Sequence, residues 1–307
     1  MTNHMTRILS EGWGILRLIA VVSSSVTAVL SSLLPLLLYT SHSPVTLFYL
    51  FLFLCGGAIV VHGLLTHLFN DYADFTSGTD EHSPAILSGG SRVIQKGIMT
   101  PQVVWWSGVI LTMILLIFAG LMAFVGQAKV TFLIVIGIWS AISYSLSPLR
   151  LSYRPFWGEW LSLFPAMFFL GIAGPWLILD SIPMWAIQNA VINALICMAW
   201  VMVHHIPDLE ADQKAVPVKE TTVVWFTNRF NSFYARVPAL IYLSLAGLCT
   251  VWIAFSRIGA ALSLIILIGM ASHLVIKLKV GDHEQVTQSE KGLLLLAMVI
   301  GLVLGIW

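Results

Sequence analysis

Charge is what this sequence has least of. Asp, Glu, Lys and Arg make up 9% of its 307 residues, against roughly 25% in an ordinary soluble domain. With 58% hydrophobic residues and a mean hydropathy of +0.92, this excludes a water-soluble globule and marks an integral membrane protein. A net charge of +1 offers no broad basic surface, so no nucleic acid is expected as a partner. Cysteine is scarce as well: Cys55, Cys197 and Cys249 each lie alone in an apolar run. An odd, unclustered set argues against a disulfide framework and a thiolate metal site and leaves small packing residues. The polar stretch from Met1 to Gly12 has no small-residue cleavage site before the apolar run that follows, so no cleaved signal peptide is expected. Nothing in the composition sets an oligomeric state.

What the chain has in quantity is long apolar runs. A membrane-spanning helix takes about 20 mostly apolar residues. On that ruler about nine spans fit, near 13–39, 46–70, 103–126, 130–147, 159–179, 184–205, 234–256, 259–278 and 290–307. Pro44, Pro101, Pro148, Pro183 and Pro238 fall at or near span ends, where a missing N–H costs least. Pro35, Pro165 and Pro175 fall inside spans, where neighbouring helices accommodate them. The expectation is an all-α bundle forming a single polytopic domain over residues 1–307, with two long polar loops at 70–100 and 206–233. Every Lys and Arg except Lys129 and Arg257 falls on one side of that alternation. Basic loops stay cytoplasmic, so the N-terminus is expected inside and the C-terminus outside. In a bacterial cell the membrane is then the inner one. Trp105, Trp106, Trp157, Trp160 and Trp176 suit the aromatic belts of the two interfaces.

The acids also share the cytoplasmic side, Asp180 excepted. Acids play little part in topology, so their concentration needs another cause. Near hydrocarbon each is costly, roughly 2.5–3.5 kcal/mol at the centre of a helix, and clusters there ask for a compensating cation. Asn70-Asp71-Tyr72-Ala73-Asp74 closes the second span, and helical continuation puts Asn70, Asp71 and Asp74 on one face. Asp208 and Asp212, four apart after the sixth span, share a face, while Glu210 points away. Four spans separate the clusters, an even number that returns the second to the side of the first. Their donors are all oxygen, which suits Mg²⁺ bound through one or two carboxylates plus substrate phosphates. Asn70, Asp71, Asp74, Asp208 and Asp212 are therefore candidate metal ligands, and the four aspartates the candidate catalytic core. Asp80, beyond Gly78, either folds back to the cluster or is solvated. The loop Ser88-Gly89-Gly90-Ser91-Arg92-Val93-Ile94-Gln95-Lys96 sets small residues before two cations one turn apart, a pattern fit to close over a diphosphate. Ordinary positive-inside decoration is the blander account of the same pair. Arg154 and Lys214 are further diphosphate candidates. His62, His67, His204 and His205 lie on the approaches to the clusters. An oxygen-rich site favours supporting or packing roles for them over a zinc set.

Asn70-Asp71-x-x-Asp74 with Asp208-x-x-x-Asp212, on about nine spans, resembles the UbiA superfamily of intramembrane prenyltransferases. Within it, Asn70-Asp71-Tyr72-x-Asp74-x-x-x-Gly78-x-Asp80 resembles the menaquinone branch, the 1,4-dihydroxy-2-naphthoate polyprenyltransferases. So do Gly90-Ser91-Arg92, Tyr144-Ser145-x-x-Pro148, Tyr153-Arg154 ahead of Gly158-Glu159, and Asp208-x-Glu210-x-Asp212. The chain departs from that pattern at His204, His205 and Pro207, where members often have paired asparagines and an arginine. It departs again at Val218-Lys219-Glu220-Thr221, where Gly-Lys-x-Thr is common, and at Gly78, where the wider superfamily often has a third Asp. The resemblance implies two Mg²⁺ ions, a polyprenyl diphosphate donor and an aromatic acceptor, with Arg92, Lys96, Arg154 and Lys214 serving the departing diphosphate. The alternatives are another acceptor such as 4-hydroxybenzoate, a cation-coupled transporter or a non-catalytic scaffold. Acids gathered at span ends beside a Gly-rich basic loop favour phosphate chemistry over the transporter.

Overall fold

The structure is a computed structural model that describes residues 21–84 and 90–307. Arg7, Arg17, the start of the first expected span, and Ser88 and Gly89 lie outside the described residues. The described chain is helix and loop, with no strand among its elements. The apolar helices are α1 (Ser23–Tyr39), α2 (Pro44–Ser77), α4 (Pro101–Phe124), α5 (Ala128–Ser145), α6 (Glu159–Ile178), α7 (Met184–His204), α10 (Ser232–Ala254), α11 (Ile258–Lys277) and α12 (His283–Ile306). Three short α-helices, α3 (Thr79–His82), α8 (Leu209–Lys214) and α9 (Thr222–Arg229), and a 3-10 turn at Leu151–Tyr153 lie between them. Eight of the described helices have the length and apolarity to cross a membrane, and α1 is a shorter apolar helix beside them.

Local chemistry explains the boundaries. Pro44 and Pro101 open α2 and α4 at the first helical turn, where their missing N–H has no partner to lose. The Thr100 hydroxyl accepts from Val103 N at 3.3 Å, and Asp282 accepts from Gln285 N at 3.0 Å; both are helix N-caps. Two spans differ from the sequence expectation. α2 continues through the acidic residues to Ser77 as one helix, and α12 starts at His283 rather than near 290. An apolarity ruler stops at polar residues, whereas capping and packing carry the helix through them.

α7 is the central span, with 83% of its most apolar stretch buried. It packs on α6, α10, α12 and α1. Small residues allow the approach, as expected where lipid gives no hydrophobic drive between helices. A Cβ on Gly171 would lie 2.9 Å from the Ala190 Cβ and 3.0 Å from its Cα. Gly171→Leu is therefore expected to cost about 1–3 kcal/mol through overpacking. The readout is Tm in detergent, and an unchanged Tm would contradict this packing. Polar bonds inside the bundle join three spans. Asn189 Nδ2 donates to Ser31 O and Leu304 O, both at 2.9 Å, and Asn193 Nδ2 donates to Ser31 Oγ at 2.7 Å.

The two ends of the bundle differ in how much charge they carry. At one end, Lys129 Nζ donates to Trp176 O at 2.6 Å, Arg257 donates to Gln188 Oε1 at 2.9 Å, and the Tyr39 hydroxyl donates to Ile306 O. Both acidic clusters lie at the other end.

Candidate active site

The site begins where α2 stops. Gly78 has φ +78°, a left-handed conformation that costs glycine little and ends a helix. The chain turns there into α3, which folds Asp80 back toward the cluster, 5% exposed. Asn70 Nδ2 donates to Asp74 Oδ2 at 2.7 Å along the shared face, and Ser145 Oγ donates to Asn70 Oδ1 at 3.4 Å. Asp71 accepts from the Ser91 hydroxyl, which draws the second half of the Gly-rich loop onto α2. Asp80 accepts from Gln95 Nε2 at 2.7 Å. Burial first, then the charges of Asp74 and Asp71, raise the Asp80 carboxyl to about 7. The acids thus repel one another, and the cluster is short of positive charge.

The second cluster meets the first. Asp208 sits at the turn after α7 and accepts from the Ser83 hydroxyl of the first loop. Asp212, 1% exposed, lies on the inner face of α8. Val216 N donates to Ser77 O at 2.8 Å, tying the two loops by their backbones. Between the clusters stands Lys219, 6% exposed. Its Nζ is 2.8 Å from Asp74 Oδ1 and 3.6 Å from Asp212 Oδ1. Burial works to lower the Lys219 ammonium, but Asp212 and Asp74 outweigh it and raise it well above its ordinary value. Burial likewise pushes the Asp212 carboxyl well above the usual range, against the pull of Lys219. Lys219 Nζ lies 5.8 Å and Arg150 Cζ 5.4 Å from the centre of the Tyr153 ring, cation–π contacts that hold the ring beside the cluster.

Asn70, Asp71, Asp74, Asp208 and Asp212 are therefore gathered at one place, from loops far apart in sequence. Arg92 joins them, donating to Ser83 O next to the Asp208 contact. Lys96 and Arg154 are exposed. Lys214 is exposed too and faces Glu210 across 3.8 Å on the outer side of α8. The structure does not bring these three into the cluster. Lys219 is the cation that spacing missed: seven residues beyond Asp212 and in a loop, it has no helical register with the acids. The one signal for it was the remnant of a Gly-Lys-x-Thr pattern.

A cavity of about 270 Å³ runs inward from the cluster. Asn70, Asp74, Asp208 and Lys219 line its polar end, and Phe53, Leu54, Leu133 and Leu170 its apolar part. Between them lie His62, His67, His204, His205 and Tyr144. α2 widens into π-helical turns over Ile59–Thr66, a distortion frequent at functional sites. His62 Nδ1 there is 2.8 Å from Ser25 Oγ, and the Tyr144 hydroxyl is 3.2 Å from His205 Nε2.

The donor set bears on metal binding. Among the described residues no three His, Cys, Asp or Glu form a ready metal cage. The donors gathered there are carboxylate and amide oxygens, the kind of which Mg²⁺ takes one or two beside waters and substrate phosphates. Burial first, and then the charges of Asp74 and Asp71, disfavour a further negative charge on Asp80, and a cation beside the cluster would offset both.

Residues 26–303 match the model of the UbiA prenyltransferase family. No curated protein and no solved structure matches the chain. The family match takes in both acidic clusters, Lys219 and, Ser25 apart, the residues lining the cavity. With its series of apolar spans, the chain is an integral, multi-pass membrane protein, and it belongs to the UbiA prenyltransferase family.

Proposed function

We propose that the protein transfers a polyprenyl group from a prenyl diphosphate to an aromatic quinone precursor, 1,4-dihydroxy-2-naphthoate, as in menaquinone synthesis. The observation that carries this reading is a single acidic centre, built from both loops, at the polar end of a cavity that turns apolar inward. A diphosphate with a long hydrocarbon tail has that same polarity. Each CH₂ kept from water in the apolar part is worth about 0.8 kcal/mol. The positive-inside bias supports a cytoplasmic position for the acidic end.

Asn70, Asp71, Asp74, Asp208 and Asp212 would hold Mg²⁺ against the diphosphate. When bound, the metal supplies Lewis-acid charge stabilisation to the leaving group. Lys219 and Arg92 stand beside the cluster to take up negative charge as the C1–O bond breaks. Lys96, Arg154 and Lys214 add positive charge from the surrounding surface. The ring carbon of the acceptor attacks C1, and the naphthoate carboxyl leaves as CO₂.

The test is turnover by purified protein with Mg²⁺ and a polyprenyl diphosphate, offering 1,4-dihydroxy-2-naphthoate or 4-hydroxybenzoate in separate reactions. The expected product is a prenylated, decarboxylated naphthoate that EDTA abolishes. Product from the benzoate alone would move the protein to another branch with the same chemistry. Product from neither acid would overturn the reading.

A further inference from the structure

One buried carboxylate belongs to neither acidic cluster. Glu159 opens α6 and is 5% exposed. The turn that delivers it is close-packed: a Cβ on Gly158 would lie 3.1 Å from Ser152 Cα and 3.2 Å from Leu151 O. Glu159 Oε1 accepts from the Thr222 hydroxyl at 2.8 Å, and Thr222 Oγ1 accepts from Phe156 N at 2.7 Å. The second carboxylate oxygen, Oε2, has no hydrogen-bond partner among the described residues. A carboxylate so withdrawn from water costs stability, and an apolar residue of similar volume would often serve the fold as well or better. At the edge of a membrane bundle an ionisable side chain is by default functional. Phe156 holds φ +70°, a conformation rare for a bulky side chain and kept only where the surroundings fix it. The bond to Thr222 is one such contact, and the ring meets Trp225 and Phe226 of α9 at 5.9 and 6.2 Å between centres.

Thr222 in turn stands three residues beyond Lys219. It is the first residue of α9 and 0% exposed. The backbone around the two is bonded throughout. Lys219 N donates to Asp212 O at 3.0 Å, Thr221 N to Lys219 O at 2.9 Å, and Val224 N to Thr221 Oγ1 at 3.2 Å. The loop that carries Phe156 also sets Tyr153 against the Lys219 ammonium. Lysine is a point charge on a flexible stem, so its place depends on the backbone that carries it.

We propose that Glu159 is a positioning residue for Lys219. Through the Thr222 hydroxyl it anchors the segment 219–222, so that the ammonium stands between Asp74 and Asp212 where the diphosphate departs. This rests on the prenyl-transfer reading above and adds a third loop, 146–158, to a site otherwise built from two. Lys219 meets the negative charge, whereas Glu159 touches neither substrate nor metal and acts only through Thr222. Positioning of this kind matters because a small misplacement of a charged group at a reacting centre is costly in rate.

The experiment is steady-state kinetics of detergent-solubilised full-length protein with Mg²⁺ and polyprenyl diphosphate, with rates expressed per folded molecule and Tm measured alongside. The acceptor is 1,4-dihydroxy-2-naphthoate or 4-hydroxybenzoate, whichever the wild type prenylates. Glu159→Met keeps the side-chain volume and removes the bond to Thr222. It is expected to lower kcat about tenfold, the worth of one buried hydrogen bond, at unchanged acceptor KM and with Tm equal to the wild type or above it. Glu159→Gln, whose amide oxygen still accepts from Thr222, should recover to within about twofold of the wild type. In a Lys219→Met background, Glu159→Met should cost less than about twofold more, because the residue it positions is gone. A wild-type rate per folded molecule in Glu159→Met would overturn the assignment, and with a lowered Tm it would make Glu159 structural. The same tenfold loss in both backgrounds would show a role that bypasses Lys219 and overturn it too. Should Lys219→Met not fold, the contrast between Met and Gln at position 159 decides: equal losses in the two would overturn the proposal. If the wild type prenylates neither acid, the prenyl-transfer reading itself fails, and this role with it.

Discussion

Asp208→Asn is expected to lower prenyl transfer by about 1,000-fold or more, in protein that still folds. That is roughly 4 kcal/mol of transition-state stabilisation, the upper range for removing one preorganised electrostatic contact. Asn retains an oxygen to accept from the Ser83 hydroxyl, so the loop contact survives and the loss reports on charge. Asp71→Asn should have a similar effect, because Ser91 can still donate to the amide oxygen. The measurement is kcat/KM for both variants beside their Tm. Near-wild-type turnover in either would remove that aspartate from the site.

The second large effect is on stability. Lys219→Met leaves Asp74 and the fully enclosed Asp212 without the ammonium that lies between them. Removing one partner of a buried ion pair typically costs about 3–5 kcal/mol, because the other charge is left uncompensated. The metal-free variant should therefore unfold several degrees below the wild type. Mg²⁺ should restore more stability to the variant than to the wild type, since the added cation relieves the same repulsion. Thermal scans of both proteins, with Mg²⁺ and with EDTA, check this. Equal Tm values in EDTA would mean that Lys219 does not neutralise the cluster.

Much of this site is legible in the sequence. The long apolar helices follow from apolar length. The grouping of Asn70, Asp71 and Asp74 follows from helical spacing, because α2 runs unbroken through them. That Asp208 and Asp212 share the end of the bundle with them follows from an even number of crossings. Contact between the clusters does not follow: it depends on Lys219, on Ser83 reaching Asp208 and on Val216 bonding to Ser77. These are long-range pairings between loops, and no periodicity encodes them. The same limit applies to the cations. Lys214 and Lys219 look alike in sequence, yet Lys214 turns outward to Glu210 while Lys219 is buried between two acids. The burial of Glu290 was hidden for another reason. Apolarity placed the start of the last span at that residue, whereas the helix begins at His283 and carries Glu290 fully inside the bundle.

The central claim is that two acidic clusters act as one metal-dependent diphosphate site. The most direct measurement is equilibrium binding of a non-reactive prenyl diphosphate analogue to the purified protein, with Mg²⁺ or with EDTA. The wild type is expected to bind in Mg²⁺ and to lose binding in EDTA. Asp71→Asn and Asp208→Asn should each weaken binding at least about tenfold, and the double variant should lose less than the sum of the two, as residues acting as a unit do. Binding that ignores EDTA, or that survives unchanged in either single variant, would contradict the claim.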